Sequence, residues 1–89
     1  MAKIYKTNGS IVSVKPKNGK DFTLEELKSI VSGYIEVICL GDEYMVINEE
    51  GKNLRLAYNE RATSIFRAYM RGSDYIVGDA LVCSIDEIK

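Results

Sequence analysis

All four arginines of the chain lie between residues 55 and 71, within the polar stretch NEEGKNLRLAYNERATSIFRAYMRG (residues 48–72). A guanidinium group is a planar fork of N–H donors that suits phosphate and carboxylate oxygens. A solvated helix face is the alternative interpretation of the same spacing. Arg55 and Arg61 fall outside the apolar stripe of the helix that we predict in this region. We therefore name both as candidate anion ligands.

Tyr58 completes the candidate ligand-binding site, which consists of Arg55, Tyr58 and Arg61. The chain has six tyrosines and no tryptophan, and a tyrosine ring offers a flat face for stacking together with a polar tip. Packing in the core or on the sheet is the alternative for any one of them. Arg61 lies in the first turn of the predicted helix, where a cation opposes the helix dipole unless an anion or an acidic side chain balances it.

Asn48 and Asn59 stand at the two ends of the irregular part of this stretch. Asparagine is common at the end of a strand and at the N-cap of a helix, because its short side chain bonds nearby backbone groups. We predict that both asparagines have structural roles.

The sequence lacks the usual residues of catalysis. It has no histidine, so the commonest general base at neutral pH is missing, together with any nucleophile that depends on it. Glu36, Glu49, Glu50 and Asp79 leave a carboxylate-dependent enzyme as a weaker alternative. We predict no enzymatic activity and no catalytic residue, and nothing in the sequence indicates a cofactor.

The two cysteines, Cys39 and Cys83, each lie in an apolar run typical of a β-strand. Two cysteines without a histidine do not suit a zinc site, so we predict no metal site. In a reducing cytoplasm we expect both thiols to be buried, reduced and inert.

The charges of the chain occur in blocks. Residues 1–20 contain five lysines and no acid, residues 21–50 contain eight carboxylates and one lysine, and residues 51–71 are basic again. The blocks either intermix on folding or form patches of opposite sign, which suit anion binding or self-association. The net charge of −1 disfavours a nucleic-acid partner. Because a sheet of hairpins also leaves edge strands, we predict a homo-oligomer, with a dimer preferred over a monomer.

The length of 89 residues and the apolar fraction of 46% predict a single globular domain over residues 1–89. No apolar run approaches the ~20 residues that span a bilayer. The N-terminus lacks the apolar centre of a signal peptide. We therefore expect a cytoplasmic protein without a membrane partner.

The segment AKIYKTNGSIVSVKP predicts a β-hairpin. Ile4 and the strand-like residues 11–14 flank Asn8-Gly9, a dipeptide that suits a type I′ turn because both residues tolerate positive φ. Pro16 cannot donate a ladder hydrogen bond and ends the second strand.

The segment FTLEELKSIVSG predicts the first helix. Thr23 and Glu26 have the spacing of a capping box, and Phe22 and Leu27 that of a hydrophobic staple. The predicted apolar face comprises Leu24, Leu27, Ile30 and Val31. We expect Gly33 to supply the left-handed residue that ends the helix.

The rest of the chain predicts a second hairpin, a second helix and a final strand region. The apolar runs of YIEVICLGDEYMVINEEG break at Gly41-Asp42, and Asn59 caps the second helix. The apolar stripe of this helix comprises Ala62, Ile65, Phe66 and Tyr69. Its opposite face comprises Ser64, Arg67 and Arg71. Gly78-Asp79 marks either a tight turn between two short strands or a bulge.

This ββαββαββ order predicts an α+β fold. Helical crossovers are too few for a doubly wound parallel sheet. We expect a mainly antiparallel sheet built from hairpins, with two helices on one face.

Four blocks of the chain, LKSIVSGYIEVICL, VINEEGK, YNERAT and IVGDALV, resemble in order and spacing the signature blocks of domain-of-unknown-function family 3846. The resemblance covers residues 22–82, and Ser32-Gly33 stands where a Gly-Gly pair is common. It implies a compact α+β domain in a bacterial, bacteriophage or mobile-element context. It implies no activity and no catalytic residue.

We predict a non-enzymatic binding module of a phage or mobile-element type that sequesters a small anionic, nucleotide-like ligand. The alternative is a protein-interaction or self-assembly module that blocks a host protein through an exposed sheet edge. Sequestration predicts a pocket lined by Tyr58, Arg55 or Arg61, whereas protein interaction predicts a flat apolar patch.

Overall fold

The chain forms one sheet and two helices in a computed structural model that describes residues 2–70 and 72–88. The strands are β1 (Ala2–Tyr5), β2 (Ile11–Val14), β3 (Ile35–Cys39), β4 (Glu43–Asn48) and β5 (Ala80–Ser84). The helices are α1 (Leu24–Val31) and α2 (Glu60–Tyr69), and a 3-10 turn spans Ile85–Glu87. Within the described ranges, neither helix is both long and apolar enough to cross a membrane.

The five strands pair in the order β2-β1-β5-β4-β3, antiparallel at every step. The predicted α+β class and the antiparallel sheet of hairpins are confirmed. The final region differs from the prediction, because residues 72–88 contribute β5 alone, preceded by a single bridge between Tyr58 and Val77. Gly78, with φ +77°, bends the chain between this bridge and β5, and a Cβ atom there would lie 2.8 Å from Leu56 Cδ1.

The two helices pack against opposite faces of the sheet. One core layer contains Leu27, Val31, Val46, Leu81 and Cys83. The other contains Met45, Ala62, Ile65, Phe66 and Val82. Neighbouring residues of a strand point to opposite faces, so α1 covers one side and α2 the other, whereas the sequence prediction placed both on one face. The strands explain the difference: Met45-Val46 and Leu81-Val82 are consecutive apolar pairs, as is typical of strands buried on both sides.

The turn between β1 and β2 contains three residues. Lys6 N–H donates to Ser10 O at 2.9 Å and extends the ladder by one pair, and Gly9 N–H donates to Lys6 O at 3.0 Å. Gly9 has φ +91°, while Asn8 has negative φ. The predicted type I′ turn is therefore wrong, since it requires positive φ at both central residues. The geometry is that of a type I turn followed by a left-handed glycine.

Helix α1 begins as the sequence predicts. Thr23 Oγ1 accepts a hydrogen bond from Glu26 N–H at 3.2 Å, and Glu26 Oε1 accepts one from Thr23 N–H at 2.9 Å, which confirms the capping box. Phe22 and Leu27 are buried. Leu24 was expected on the buried face but is 52% exposed, because it lies at the first position of the helix, beyond the edge of the core.

The end of α1 differs from the prediction by one residue. Ser32, with φ 63° and ψ 40°, is the left-handed residue, and Gly33 does not have positive φ. Gly33 is needed for a different reason, because a Cβ atom at this position would lie 2.7 Å from Asn48 Nδ2. The close approach of this backbone to β4 therefore requires glycine at 33, while a strained serine takes the position that favours glycine.

Helix α2 begins after Asn59, as predicted, and its Ala62, Ile65 and Phe66 pack against the sheet. Tyr69 was assigned to the same stripe but is exposed, since it lies in the last turn, past the region that α2 buries. Met70 N–H donates to Phe66 O at 2.7 Å and closes the helix. Arg71, predicted on the polar face, lies outside the described residues.

Candidate functional site

A groove between the first turn of α2 and the β1–β2 turn, which we call the hairpin groove, contains Arg61. Its volume is about 580 Å³. Its lining comprises residues Tyr5–Gly9 of the hairpin and Glu60, Arg61, Ser64 and Ile65 of the helix. Cavities of roughly 300–1,000 Å³ hold small-molecule ligands in many proteins, so the hairpin groove has the size of a ligand site.

Asn59 holds the two sides of the hairpin groove together. Its Oδ1 accepts from Ala62 N–H at 3.0 Å and caps α2. Its Nδ2 donates to Tyr5 O and to Gly78 O, both at 2.8 Å. One fully buried side chain thus fixes the start of α2 against the end of β1 and the bend before β5. The structural role predicted for Asn59 is confirmed, and it extends well beyond the cap.

Two cations and one acid line the hairpin groove. Arg61 Nε donates to Gly9 O at 3.1 Å, a bond that uses one of the five N–H donors of the guanidinium group. Lys6 Nζ lies 3.9 Å from Asp79 Oδ2 in a loose ion pair. With Lys6 and Arg61 counted as +2 and Glu60 as −1, the lining carries a formal charge of +1. This part of the surface therefore suits an anion.

Arg55 and Tyr58 lie away from the hairpin groove. Arg55 is an exposed residue with φ 55° at the end of the turn that follows β4. The exposed Tyr58 ring lies 6.0 Å from the Tyr75 ring, at an interplanar angle of 41°. The three predicted ligand residues are separated by at most six positions in sequence, yet the structure does not bring them into one cavity.

A second groove runs between the edge strand β3 and α2, and we call it the β3–α2 groove. Its volume is about 490 Å³. Its apolar lining comprises Val37, Ile38, Ile47, Phe66, Met70, Ile76 and Val77. Its charged lining comprises Glu36, Glu49, Lys52 and Asp74, which sum to a formal charge of −2 from three carboxylates and one lysine. The β3–α2 groove is therefore apolar and acidic, unlike the hairpin groove.

An ion pair and an aromatic ring form one rim of the β3–α2 groove. Lys52 Nζ pairs with Asp74 and also lies 4.4 Å from the centroid of the Tyr75 ring. The hydrogen bond to Asp74 raises the pKa of Lys52, and the same bond, with a further one from Tyr75 N–H, lowers the pKa of Asp74. Arg67 Nε donates to Asp74 O at 2.9 Å and holds the loop. Both partners are thus charged at neutral pH.

Lys6, Lys52 and Tyr75 were not among the candidate site residues predicted from the sequence. Gly9 and Arg61, whose contact forms the hairpin groove, are 52 residues apart, and Lys52 and Asp74 are 22 apart. The lysine block of residues 1–20 was the only available signal for Lys6. No local pattern connects either pair.

Asn48 joins the end of α1 to β4. Its Nδ2 donates to Val31 O at 3.0 Å and to Ser32 O at 3.3 Å, and its Oδ1 accepts from Glu50 N–H at 2.8 Å. The side chain is buried, and all of its partners belong to the backbone. The structural role predicted for Asn48 is confirmed.

The two cysteines differ in exposure. Cys83 is buried as predicted, and burial is the main cause that raises its pKa to about 12. Cys39 was also predicted to be buried but is exposed, because it lies at the end of the edge strand β3. Among residues 2–70 and 72–88, no three cysteine or carboxylate side chains are grouped in a way that could hold a metal ion.

The chain belongs to the family described as Domain of unknown function (DUF3846), whose model matches residues 6–89. The match extends beyond the blocks at residues 22–82 to the hairpin turn at one end and to β5 and the 3-10 turn at the other. All the residues that line the hairpin groove, except Tyr5, therefore lie within the matched range. No curated protein and no solved structure gives a significant match to the chain.

Proposed function

We propose that the protein is a non-enzymatic binding module that holds a small, nucleotide-like anion in the hairpin groove. The observation that carries the proposal is the meeting of Arg61 and Lys6 in a groove of ligand size. The terminal nitrogens of the Arg61 fork and the ammonium group of Lys6 supply charge-assisted donors for phosphate or carboxylate oxygens. Ser64, on the same side of α2, adds a hydroxyl group to the lining.

The titratable groups in and near the hairpin groove favour binding over catalysis. The chain has no histidine, and the nearest aspartate, Asp79, already accepts a hydrogen bond from Thr7 N–H at 3.0 Å and faces Lys6. Asp79 is not part of the lining, in which Glu60 is the one carboxylate among the described residues. General acid–base work by two carboxylates needs a pair placed around the reacting bond, and the lining offers one uncommitted acid.

We further propose that the module acts in the cytoplasm, in a phage or mobile-element context. The support for this context is the resemblance of the signature blocks, and the support for the compartment is the two free thiols, which suit a reducing environment. Arg55 and Tyr58 are left out of the proposed site, because neither lines the hairpin groove.

The experiment is a titration of the full chain, labelled with nitrogen-15, with adenosine monophosphate and separately with inorganic phosphate. We expect amide shifts concentrated at Thr7–Gly9 and at Glu60 and Arg61. A lost charge-assisted hydrogen bond costs about 1.5–3 kcal/mol, so Arg61→Ala should weaken binding roughly ten- to hundredfold.

Arg55→Ala is the matched control, since it removes another exposed arginine, one that lies outside the groove. It should leave the affinity unchanged. Both substitutions should alter the free energy of unfolding by less than about 1 kcal/mol, because each side chain is exposed. Shifts centred elsewhere, or an affinity that Arg61→Ala leaves unchanged, would show that the hairpin groove is not the site.

A further inference from the structure

The two edge strands of the sheet, β2 and β3, present backbone groups that no neighbouring strand of the described chain uses. Tyr34 O accepts from Glu49 N–H just after β4, and Leu40 N–H donates to Glu43 O at its start. The alternation of the ladder therefore turns the backbone groups of Ile35, Val37 and Cys39 outward. On the other edge, the bond between Lys6 and Ser10 sets the alternation. The N–H and C=O groups of Ile11 and Ser13 therefore point away from β1.

Edge strand β2 is four residues long and has no protective residue within it, while Lys15 and Pro16 follow directly after it. Its sequence, IVSV, contains no charge and no proline, and Ile11 and Val12 are 46% and 39% exposed. Edge strands that are meant to stay unpaired commonly carry a lysine, a proline or a bulge. Within Ile11–Val14, β2 therefore has no charge and no proline that would oppose pairing with another chain.

Lysines lie beside β2 and carboxylates beside β3, and on the α1 side of the β2 edge Glu25 and Glu26 share a groove with Lys15 and Lys17. Lys3 and Lys15 are exposed beside β2, in a block of 20 residues that contains five lysines and no acid. On the other side, Glu36 and Glu49 are exposed beside β3, and both line the acidic β3–α2 groove.

The cations nearest the acidic edge already have partners. Lys52 pairs with Asp74, and Lys28 Nζ lies 5.0 Å from the centroid of the Tyr34 ring. Pairing β2 with β2, or β3 with β3, would bring like charges together, which is unfavourable. Pairing β2 with β3 joins opposite charges.

We propose that β2 of one copy adds to β3 of a second copy, so that molecules associate head to tail into a continuous sheet. The added strand receives backbone hydrogen bonds from the outward groups of β3, as in β-strand addition by other proteins. Ile38, Phe66 and Met70 of the β3–α2 groove are available to an apolar side chain of that strand. Each copy has one β2 edge and one β3 edge, so the two end copies of an assembly each keep one unpaired edge. The assembly therefore either grows as an open chain or closes into a ring.

The test uses two variants that each block one edge. Ser13→Pro removes the outward N–H group of β2, and Val37→Pro removes that of β3, and a proline is tolerated where an edge N–H faces outward. Ser13→Thr and Val37→Thr are the matched controls, because threonine keeps the N–H group and favours a strand. Sedimentation velocity of the full chain gives the assembly mass, and circular dichroism with urea unfolding checks that each variant folds.

We expect the wild type and both threonine controls to form larger species as concentration rises. Each proline variant alone should self-associate at least about tenfold more weakly. An equimolar mixture of the two proline variants should form a 1:1 complex, since each retains the edge that the other has lost. Association should weaken as salt rises from about 0.05 M to about 0.5 M.

Three results would overturn the proposal. One is a wild type that stays monomeric at every concentration tested. Another is a symmetric dimer, which one proline variant abolishes and the other leaves intact. The third is a pair of folded proline variants that fail to form a complex when mixed. Ser13 and Val37 do not line the hairpin groove, so none of these results bears on the anion-binding proposal.

Discussion

Replacement of Asn59 by aspartate separates a simple helix cap from the wider role that the structure assigns to this residue. The side chain is fully buried and makes one bond as an acceptor and two as a donor. The partners identify which end of the side-chain amide is Oδ1 and which is Nδ2, because a backbone N–H group only donates and a carbonyl oxygen only accepts. Asparagine and aspartate are about equally good N-caps. If Asn59 acted as a cap alone, Asn59→Asp would be nearly neutral.

The structure predicts a large loss instead. Asn59→Ala removes the cap, worth about 1 kcal/mol, and the donor of two bonds worth roughly 1 kcal/mol each, a total of about 3 kcal/mol. Asn59 Nδ2 lies 2.8 Å from Tyr5 O and from Gly78 O. Asn59→Asp keeps the cap but places a carboxylate oxygen at the position of this nitrogen. Burying a charge against two acceptors should cost at least as much, about 3–5 kcal/mol. A domain of this size has only roughly 4–13 kcal/mol of stability.

Urea unfolding followed by circular dichroism at pH 7 measures both effects. Asn53→Asp is the matched control, since Asn53 is exposed, and it should change the free energy of unfolding by less than about 0.5 kcal/mol. The substituted carboxyl at position 59 should have a folded pKa above its unfolded value, because burial disfavours its charge. The loss in Asn59→Asp should therefore shrink as pH falls towards the unfolded pKa of about 4. A stability within about 0.5 kcal/mol of the wild type at pH 7 would refute the assigned bonds.

Three further predictions concern α1 and the cysteines. Thr23→Ala should lower the free energy of unfolding by about 1 kcal/mol in urea melts, because it removes the cap bond. The separate bonds from the backbone N–H groups of Thr23 and Lys17 to the Glu26 carboxylate lower the pKa of Glu26, so the stability that these bonds contribute should be lost as pH falls through that lowered pKa. Ser32→Gly should raise the free energy of unfolding by about 1 kcal/mol in the same assay, since serine is strained at φ 63°, and an unchanged midpoint would contradict the strain. A water-soluble maleimide should label Cys39 rapidly and Cys83 only after unfolding, as counted by mass spectrometry, and two rapid labels in the native protein would be inconsistent with the burial of Cys83.

The parts of the fold that could be predicted from the sequence depend on interactions between close neighbours in the chain. Thr23 and Glu26 are three residues apart and form their capping box as predicted. The same holds for the cap bond from Ala62 N–H to Asn59 Oδ1 and for the hairpin of β3 and β4. Small shifts escaped prediction, such as left-handed Ser32 in place of Gly33, because adjacent residues can exchange such a role at a cost of about 1 kcal/mol.

The candidate site could be predicted only in part. Arg61 faces a groove with a positive lining, but Arg55 and Tyr58, which are close to it in sequence, face elsewhere. A turn residue with φ 55° and a helical residue direct their side chains independently, so short separation in sequence does not bring them together. Lys6 reaches the site because β1 pairs with β5, and no local pattern in the sequence predicts that long-range pairing.

The sequence by itself determined the class of the fold, both helix starts, the hairpins and the structural duty of two asparagines, because each depends on propensity, periodicity or a bond across a few residues. Only the tertiary structure decided which face of the sheet each helix covers and which charges meet. Asn59 illustrates the division: its cap spans three residues, while its two other bonds reach 54 and 19 residues along the chain. Those long-range partners are set by how the whole sheet buries apolar residues on both faces, a condition that no short segment contains.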